Sequence, residues 1–115
     1  MTSPIVHLEL HTPNLGRACA FYGELLGWHP RPVRLTDAAY QSLALGALSG
    51  GVVERATERA PWLPYIEVGS VSVTTEHAVA LGASVMLPPR EGPAGWRSVV
   101  TTPAGGEIAL WQTMR

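Results

Sequence analysis

The residues best suited to chemistry in this chain are two histidines and a glutamate that alternate near its start: His7, Glu9 and His11. Leu8 and Leu10 lie between them, and this period of two is typical of a half-buried β-strand with one packed and one polar face. An imidazole beside a carboxylate can bind a ligand by hydrogen bonds or act as a general acid or base. A strand histidine can equally serve as an internal hydrogen-bonding residue, so the sequence leaves both roles open for His7.

A helix must follow this strand and support it. The segment 12–14 breaks the strand, and Asn14 is suited to cap a helix because its side-chain oxygen can accept from a free backbone N–H of the first turn. From Leu15 to Leu26 the apolar residues recur at helical spacing and form one stripe. Gly27 is predicted to end the helix, since glycine readily adopts a positive φ.

The second half of the chain repeats this pattern. Leu63–Val68 is strand-like, Ser70 takes the place of the cap, and a helix is predicted over Val71–Leu81 with a stop at Gly82. The remaining segments are predicted as strands at 32–35, 39–45, 51–55, 83–87, 97–102 and 107–112, as a loop at 88–95, and as turns at 50–51 and 103–106. The prediction is one α+β domain over 1–115, made of two β-α-β-β-β modules at about 4–56 and 62–113.

Composition excludes several classes of function. The chain has 115 residues, with 8 basic and 9 acidic side chains and a formal net charge of −1. There is no basic stripe to neutralise a row of phosphates, so nucleic acid is not expected as a partner. No segment is long and apolar enough to span a bilayer, and the start of the chain lacks a basic stretch followed by an apolar run. We therefore expect a cytoplasmic protein without membrane association.

Two reactive side-chain types are scarce. The basic residues are all arginine, and the absence of lysine excludes Schiff-base chemistry and covalently held pyridoxal phosphate. Cys19 is the only cysteine, so neither a disulfide framework nor a thiolate cluster can form. Its position on the apolar stripe of the first helix favours a core thiol over a nucleophile.

Several motifs together resemble the vicinal oxygen chelate superfamily, which contains glyoxalases, bleomycin-resistance proteins and extradiol dioxygenases. They are the paired modules, the FYGELLGW end of the first helix, the ALGA end of the second, and the closing TPAGGEIALWQ. The resemblance implies that each module curves its sheet into a half-barrel with its helix on the outer face, that the whole is a single glyoxalase-like domain, and that the two halves form an open cleft.

The resemblance also implies where a divalent metal would be bound in metal-dependent members. The ligand positions fall at His7, Leu63, Ala109 and near Val53, and one imidazole among them cannot supply the three or four donors that such an ion requires. We therefore expect no metal and no other cofactor. Two glutamates could replace missing ligands. Glu54 neighbours Val53 but would need a β-bulge to face inward. Glu107 shares a strand face with Ala109 but lies two residues, about 6.6 Å, along the strand from it.

Strand alternation predicts which side chains line the cleft. The expected set combines imidazole, carboxylate, apolar and aromatic groups, a mixture typical of small-molecule pockets. It comprises His7, Glu9, His11, Leu63, Tyr65, Glu67, Glu107, Ala109 and Trp111, with Tyr40, Trp62 and Trp96 as candidate wall residues that could equally pack in the core or in a dimer. His7 and Glu107 are the candidates for acid–base catalysis.

Three functions remain open at this stage. The leading hypothesis is a metal-independent superfamily member that binds a small aromatic or amphipathic organic molecule, for sequestration or for acid–base chemistry. The first alternative is a divalent-metal-dependent lyase, isomerase or dioxygenase. The second is a ligand-free interaction or scaffold protein. A homodimer is expected because a short chain with open half-barrels leaves apolar surface and strand edges to cover.

Overall fold

The computed structural model describes residues 3–32, 40–57, 61–92 and 94–114. The chain divides into two compact units, which we call the N-terminal unit (His7–Leu63) and the C-terminal unit (Met1–Val6 with Pro64–Arg115). The elements of the described residues are β1 (Ile5–Thr12), α1 (Leu15–Leu26), β2 (Arg31–Pro32), β3 (Tyr40–Leu45), β4 (Leu48–Glu54), β5 (Trp62–Glu67), α2 (Val71–Ala80), β6 (Ser84–Glu91), β7 (Gly95–Thr101) and β8 (Glu107–Thr113). The α+β class and the repeated β-α-β-β-β order are confirmed.

The sheet of the N-terminal unit has the strand order β2-β3-β4-β1. Its neighbours are antiparallel except for β1 and β4, which run parallel because α1 lies between β1 and the later strands of the unit. The helix packs on one face, over a buried core of Leu10, Leu43 and Val52. Because side chains alternate along a strand, the polar residues of β1 point to the opposite face, which we call helix-free because α1, the helix of the described residues of this unit, does not cover it.

The C-terminal unit has the same arrangement, with the strand order β5-β8-β7-β6 and a parallel pair of β5 and β8. Here α2 covers the face of β7 and β8 that bears Ser98 and Gln112. The Thr75 hydroxyl lies 2.7 Å from the Ser98 hydroxyl, and the Gln112 side chain accepts from the backbone N–H of Val71 at 2.9 Å. This unit therefore also has one helix-covered and one helix-free face.

The helix ends follow the predicted capping residues. The Asn14 side chain accepts from the Arg17 backbone N–H at 3.0 Å, and Ser70 does the same for Val73 at 3.2 Å. Gly27 follows α1 with φ 71° and Gly82 follows α2 with φ 103°. Each helix is thus fixed at both ends by local sequence, which sets the side of each sheet that it covers.

One predicted loop and one predicted turn are wrong. Within the loop predicted at 88–95, β6 continues through Pro88 and Pro89 to Glu91 and β7 already begins at Gly95, while Pro93 lies outside the described residues. An outermost strand tolerates proline, and two register shifts in the β6–β7 pairing accommodate it. The pair Gly50–Gly51 lies inside β4, and the turn before it is at Gly46 (φ 75°).

No helix among the described residues is long and apolar enough to cross a membrane.

Candidate functional site

The helix-free face of the N-terminal unit carries the three alternating polar residues of β1. Strand register aligns each of them with one residue of β4 and one of β3. The three rows are His7–Ser49–Ala44, Glu9–Gly51–Ser42 and His11–Val53–Tyr40. Imidazoles, a carboxylate, hydroxyls and a phenol are therefore concentrated on one side of a single four-stranded sheet.

Glu9 lies between the two histidines and is only 6% exposed. Its Oε1 lies 2.8 Å from Nε2 of His11, and its Oε2 lies 3.5 Å from Nε2 of His7. A buried carboxylate is costly unless hydrogen-bond donors surround it, and the two imidazoles can supply them. The structure thus brings together the three residues that the alternation placed on one face.

Arg55 determines the protonation pattern of His11. Its Nε lies 2.6 Å from Nδ1 of His11, and an arginine nitrogen can only donate. Nδ1 must therefore be the unprotonated nitrogen, so the ring proton is on Nε2 and is donated to Glu9. His7 is held similarly, because its Nδ1 lies 2.7 Å from the Ser49 hydroxyl while Nε2 is near Glu9.

Tyr40 covers the middle of this face. Its ring lies over Gly51, where a Cβ would come within 2.7 Å of Cζ of the tyrosine. Burial, and to a smaller degree the negative charge of Glu9, raises the pKa of Tyr40 above its ordinary value of 10.0. The phenol is therefore held in its neutral, hydrogen-bonding form over the physiological range.

The helix-free face of the C-terminal unit is built differently. Its rows are Tyr65–Ala109–Val99, Glu67–Trp111–Arg97 and Glu107–Thr101. The rings of Tyr65 and Trp111 lie with centroids 6.3 Å apart at an interplanar angle of 60°. Arg97 donates from Nη1 to the Tyr65 hydroxyl at 3.1 Å, so an aromatic pair and a guanidinium share this face.

The residues of this second face differ in how deeply they are buried. Ala109 is fully buried and Tyr65 is 5% exposed, whereas Trp111, Arg97, Glu67 and Glu107 are half-buried. Leu63, two residues before Tyr65 on β5 and the last residue of the N-terminal unit, is also buried. The small Ala109 side chain leaves the neighbouring rings to form the surface that a ligand could touch.

Two candidate wall residues do not join either face. Trp62 packs with Tyr22 and Trp28 against the core beneath α1, with its ring centroid 5.9 Å from that of Tyr22. Trp96 is paired with Gln112 and alternates with Ser98, so it lies on the face covered by α2. Trp62 therefore packs in the core, which was one of the two alternatives for it. Trp96 lies on the face of its sheet that α2 covers, and so does not line the helix-free face.

Comparison with known proteins gives the family. The family model described as the glyoxalase-like domain matches residues 7–111, which is most of the chain. The chain belongs to this glyoxalase-like family.

Its relatives are of two kinds. Proteins provisionally named glyoxylase CFP32 in Mycobacterium tuberculosis and Mycobacterium bovis are 30% identical over 117 residues, which cover 94% of this chain and 45% of each of them. The chain thus spans a little under half of these curated relatives. Two solved methylmalonyl-CoA epimerases are similar in fold. The first, from Streptomyces coelicolor, is a variant in complex with 2-nitronate-propionyl-CoA and has a TM-score of 0.68 at 14% identity. The second, from Mycobacterium tuberculosis, has a TM-score of 0.66 at 14% identity. They cover 100% and 96% of the chain, and the chain covers 100% and 88% of them.

Three of the four positions at which the family resemblance implies metal ligands carry side chains that cannot bind a metal. Leu63 and Ala109 are buried apolar residues and Val53 has no donor atom. The Glu54 carboxylate accepts from the Leu15 backbone N–H at 2.9 Å, at the start of α1, and so does not replace Val53. Throughout 3–32, 40–57, 61–92 and 94–114, no three His, Cys, Asp or Glu side chains are grouped to hold a metal ion. The donor set therefore does not fit a metal at the family position.

Sequence reasoning missed the residues that organise both faces. Arg55 follows the last residue of β4, and only the fold brings it back to His11. Ser49 precedes the glycine pair that was assigned to a turn, and Arg97 was treated only as the start of a strand. The one available signal was the alternation of Arg97 with Val99 on β7, which places it on the same face as Trp111.

Proposed function

We propose that this glyoxalase-like chain binds a small aromatic or amphipathic organic molecule on the helix-free face of the C-terminal unit, without a resident metal. The observation that carries the proposal is the pair of half-buried residues Trp111 and Arg97 beside the buried Tyr65 and Ala109. Aromatic walls with a few oriented polar groups are the usual composition of small-molecule sites.

Two further observations support this proposal. Three of the four positions from which the family would supply metal ligands carry Leu63, Ala109 and Val53, and a single imidazole at His7 is too few donors for a divalent ion, which favours binding by organic contacts. Proteins of the same fold, the methylmalonyl-CoA epimerases, are solved with the organic ligands 2-nitronate-propionyl-CoA and methylmalonyl-CoA. Because the chain spans less than half of its curated relatives, their activity as whole proteins is not carried over.

Intrinsic fluorescence tests the binding proposal with a matched pair of tryptophans. A library of aromatic and amphipathic compounds is titrated into the wild type, the Trp111→Phe variant and the Trp96→Phe variant. Trp96 lies on the adjacent strand but on the α2 face, so its variant should keep the ligand-dependent change while Trp111→Phe loses it. A change that survives in Trp111→Phe and disappears in Trp96→Phe would reject the proposed face. No change with any compound would favour the ligand-free scaffold alternative.

Metal independence is tested separately from binding. The purified protein should contain less than stoichiometric divalent metal, and treatment with a chelator should leave its thermal midpoint and ligand affinity unchanged. The His7→Ala variant serves as control, since it removes the one donor at a family position. Stoichiometric metal that is lost in His7→Ala would reject the proposal in favour of the metal-dependent lyase, isomerase or dioxygenase.

Acid–base chemistry is the second candidate, and the placement of Glu9 in the N-terminal unit favours it. A carboxylate between two imidazoles, one with its tautomer set by Arg55, is an arrangement that can take up and return a proton. Acyl thioesters incubated in D₂O should then gain deuterium at the α-carbon, and Glu9→Gln should abolish the gain. Equal deuterium incorporation by wild type and Glu9→Gln would exclude Glu9 as the base.

The homodimer stays a prediction that the exposed apolar residues of α1 support. Phe21, Leu25 and Leu26 are all at least half exposed although the helix is amphipathic. Sedimentation velocity over a concentration range measures the state directly. A monomer at all concentrations would exclude the dimer.

A further inference from the structure

One row of the C-terminal sheet places two arginines side by side. Register pairs Arg90 of β6 with Arg97 of β7, Arg97 with Trp111 of β8, and Trp111 with Glu67 of β5. Cross-strand partners point to the same face of a sheet, so this row runs across the helix-free face from two guanidinium groups, over an indole, to a carboxylate.

The two arginines carry positive charge that no acidic side chain offsets within the described part of the chain. The only ion pairs found there involve Glu9 of the other unit. Arg97 uses one of its N–H groups to donate to the Tyr65 hydroxyl. Arg90 is exposed and Arg97 is half-buried. Like charges on directly opposite strand residues disfavour their pairing, and an anion lying against both guanidinium groups would offset this repulsion.

Nearby carboxylates are placed where they cannot perform this role. Glu91 is paired with Trp96 and therefore lies on the α2 face. Glu107 is on the helix-free face but four residues from Trp111, about 13 Å along the strand. Glu67 lies on the far side of the Trp111 strand from the arginines.

We infer that Arg97 and Arg90 form a subsite for the carboxylate of an aromatic acid whose ring rests on Trp111. The inference rests on the proposed function, and it adds the charged group that the ligand must carry. Arginine suits this role because its planar fork can form two parallel hydrogen bonds with a carboxylate. Glu67 fixes the orientation, because it repels the carboxylate from the opposite end of the same row.

The test compares acids with their neutral amides. Benzoate and benzamide, 2-naphthoate and 2-naphthamide, and indole-3-acetate and indole-3-acetamide are titrated calorimetrically at low ionic strength. Each pair shares its ring, so only the charged group differs. At least one acid should bind the wild type about tenfold or more tightly than its amide, as expected for a charge-assisted contact. This preference should fall severalfold in both Arg97→Gln and Arg90→Gln.

A charge-matched control separates the subsite from general electrostatics. Arg17 is exposed on α1 of the other unit, so Arg17→Gln makes the same change in net charge and should keep the full preference for the acid. Thermal midpoints without ligand give a second readout: Arg90→Gln should be as stable as the wild type or more stable, because it removes a like-charge pair. A lower midpoint would instead show a stabilising role for Arg90 and would overturn the inference.

The outcomes also separate this inference from the proposed function. Equal binding of acids and amides to the wild type overturns the carboxylate subsite and leaves the aromatic site standing. A preference for acids that persists in both arginine variants overturns the subsite as well. The absence of saturable binding for every acid and every amide overturns both.

Discussion

The two units share one order of strands and helix, yet their helix-free faces have opposite chemistry. The N-terminal face surrounds the buried carboxylate of Glu9 with imidazoles, whereas the C-terminal face combines Trp111 and Tyr65 with the guanidinium of Arg97. The alternation of strand residues fixes which positions face outward, but it leaves their chemistry free. The comparison teaches that the repeat preserves the scaffold while the residues on the outward positions differ, imidazoles and a carboxylate in one unit and aromatic rings with a guanidinium in the other.

The helices are also attached differently. Beneath α1 the contacts are apolar, centred on Leu10, Leu43 and Val52. Beneath α2 the buried contacts include hydroxyl and amide hydrogen bonds through Thr75, Ser98 and Gln112. Substitutions at equivalent depth should therefore act through packing in one unit and through unsatisfied polar groups in the other.

The largest effect is expected in the apolar core of the N-terminal unit. Leu10 is 2% exposed, and Leu10→Ala should lower the free energy of unfolding by about 2–5 kcal/mol through lost burial and a residual cavity. Urea denaturation measures the change. Leu25→Ala is the control, since Leu25 is 62% exposed and its replacement should cost no more than about 0.5 kcal/mol. Similar losses for both variants would contradict the packing difference.

The next effect compares the two glycines over which aromatic rings lie. At Gly95 a Cβ would meet the Gln112 carbonyl oxygen and come within 3.1 Å of the Trp111 ring, whereas at Gly51 its three nearest atoms all belong to the Tyr40 side chain. Backbone cannot move aside as a side chain can, so Gly95→Ala should destabilise by about 1–3 kcal/mol and Gly51→Ala by less. Unfolding curves of the two variants decide the order, and a larger loss for Gly51→Ala would reverse it.

The hydrogen bonds beneath α2 predict that the effects on stability of substitutions at Thr75 and Ser98 are not additive. The Thr75 hydroxyl donates to the Val71 carbonyl at 2.6 Å and so must accept from the fully buried Ser98 hydroxyl. Thr75→Val should cost about 1–3 kcal/mol because the Ser98 hydroxyl is left without its acceptor. The double variant Thr75→Val with Ser98→Ala should recover part of that loss in a denaturation cycle. Strict additivity would show that the two hydroxyls are not coupled.

The smallest effect is a pH dependence in the N-terminal unit. The pKa of Tyr40 is raised in the folded protein by burial and then by Glu9, so the unfolded chain loses this proton first as pH rises. The contribution of Tyr40 to stability is thus complete below its ordinary pKa of 10.0 and is lost as pH rises through the higher folded value.

Ultraviolet titration of tyrosinate can isolate this group. Subtracting the Tyr40→Phe curve from that of the wild type gives the Tyr40 titration. In Glu9→Gln it should move toward lower pH without reaching the ordinary value, because burial remains. An unchanged curve would show that Glu9 does not act on the phenol.

The sequence alone was sufficient where the controlling interactions are local. Asn14 and Ser70 cap the helices they were assigned to cap, because capping depends on residues within one turn. The shared face of His7, Glu9 and His11 followed from alternation along one strand. The α+β class followed from the repeat of these local patterns.

It failed where contacts between distant segments decide the outcome. Pro88 and Pro89 signal a loop by composition, but pairing with β7 and its register shifts keep them in a strand, and this places Arg90 opposite Arg97. Trp62 lies beneath α1 because its ring packs edge-to-face against the rings of Tyr22 and Trp28. The partnership of Arg55 with His11 depends on a strand pairing that no local pattern encodes.

In each of the two sheets one edge strand contains proline, and this has a consequence for behaviour in concentrated solution. In the N-terminal sheet the outermost strand β2 contains Pro32, and in the C-terminal sheet the outermost strand β6 contains Pro88 and Pro89. Proline has no N–H to donate, so neither strand offers a continuous row of donors to an incoming chain. Pairing of a further strand along these two edges is thereby disfavoured.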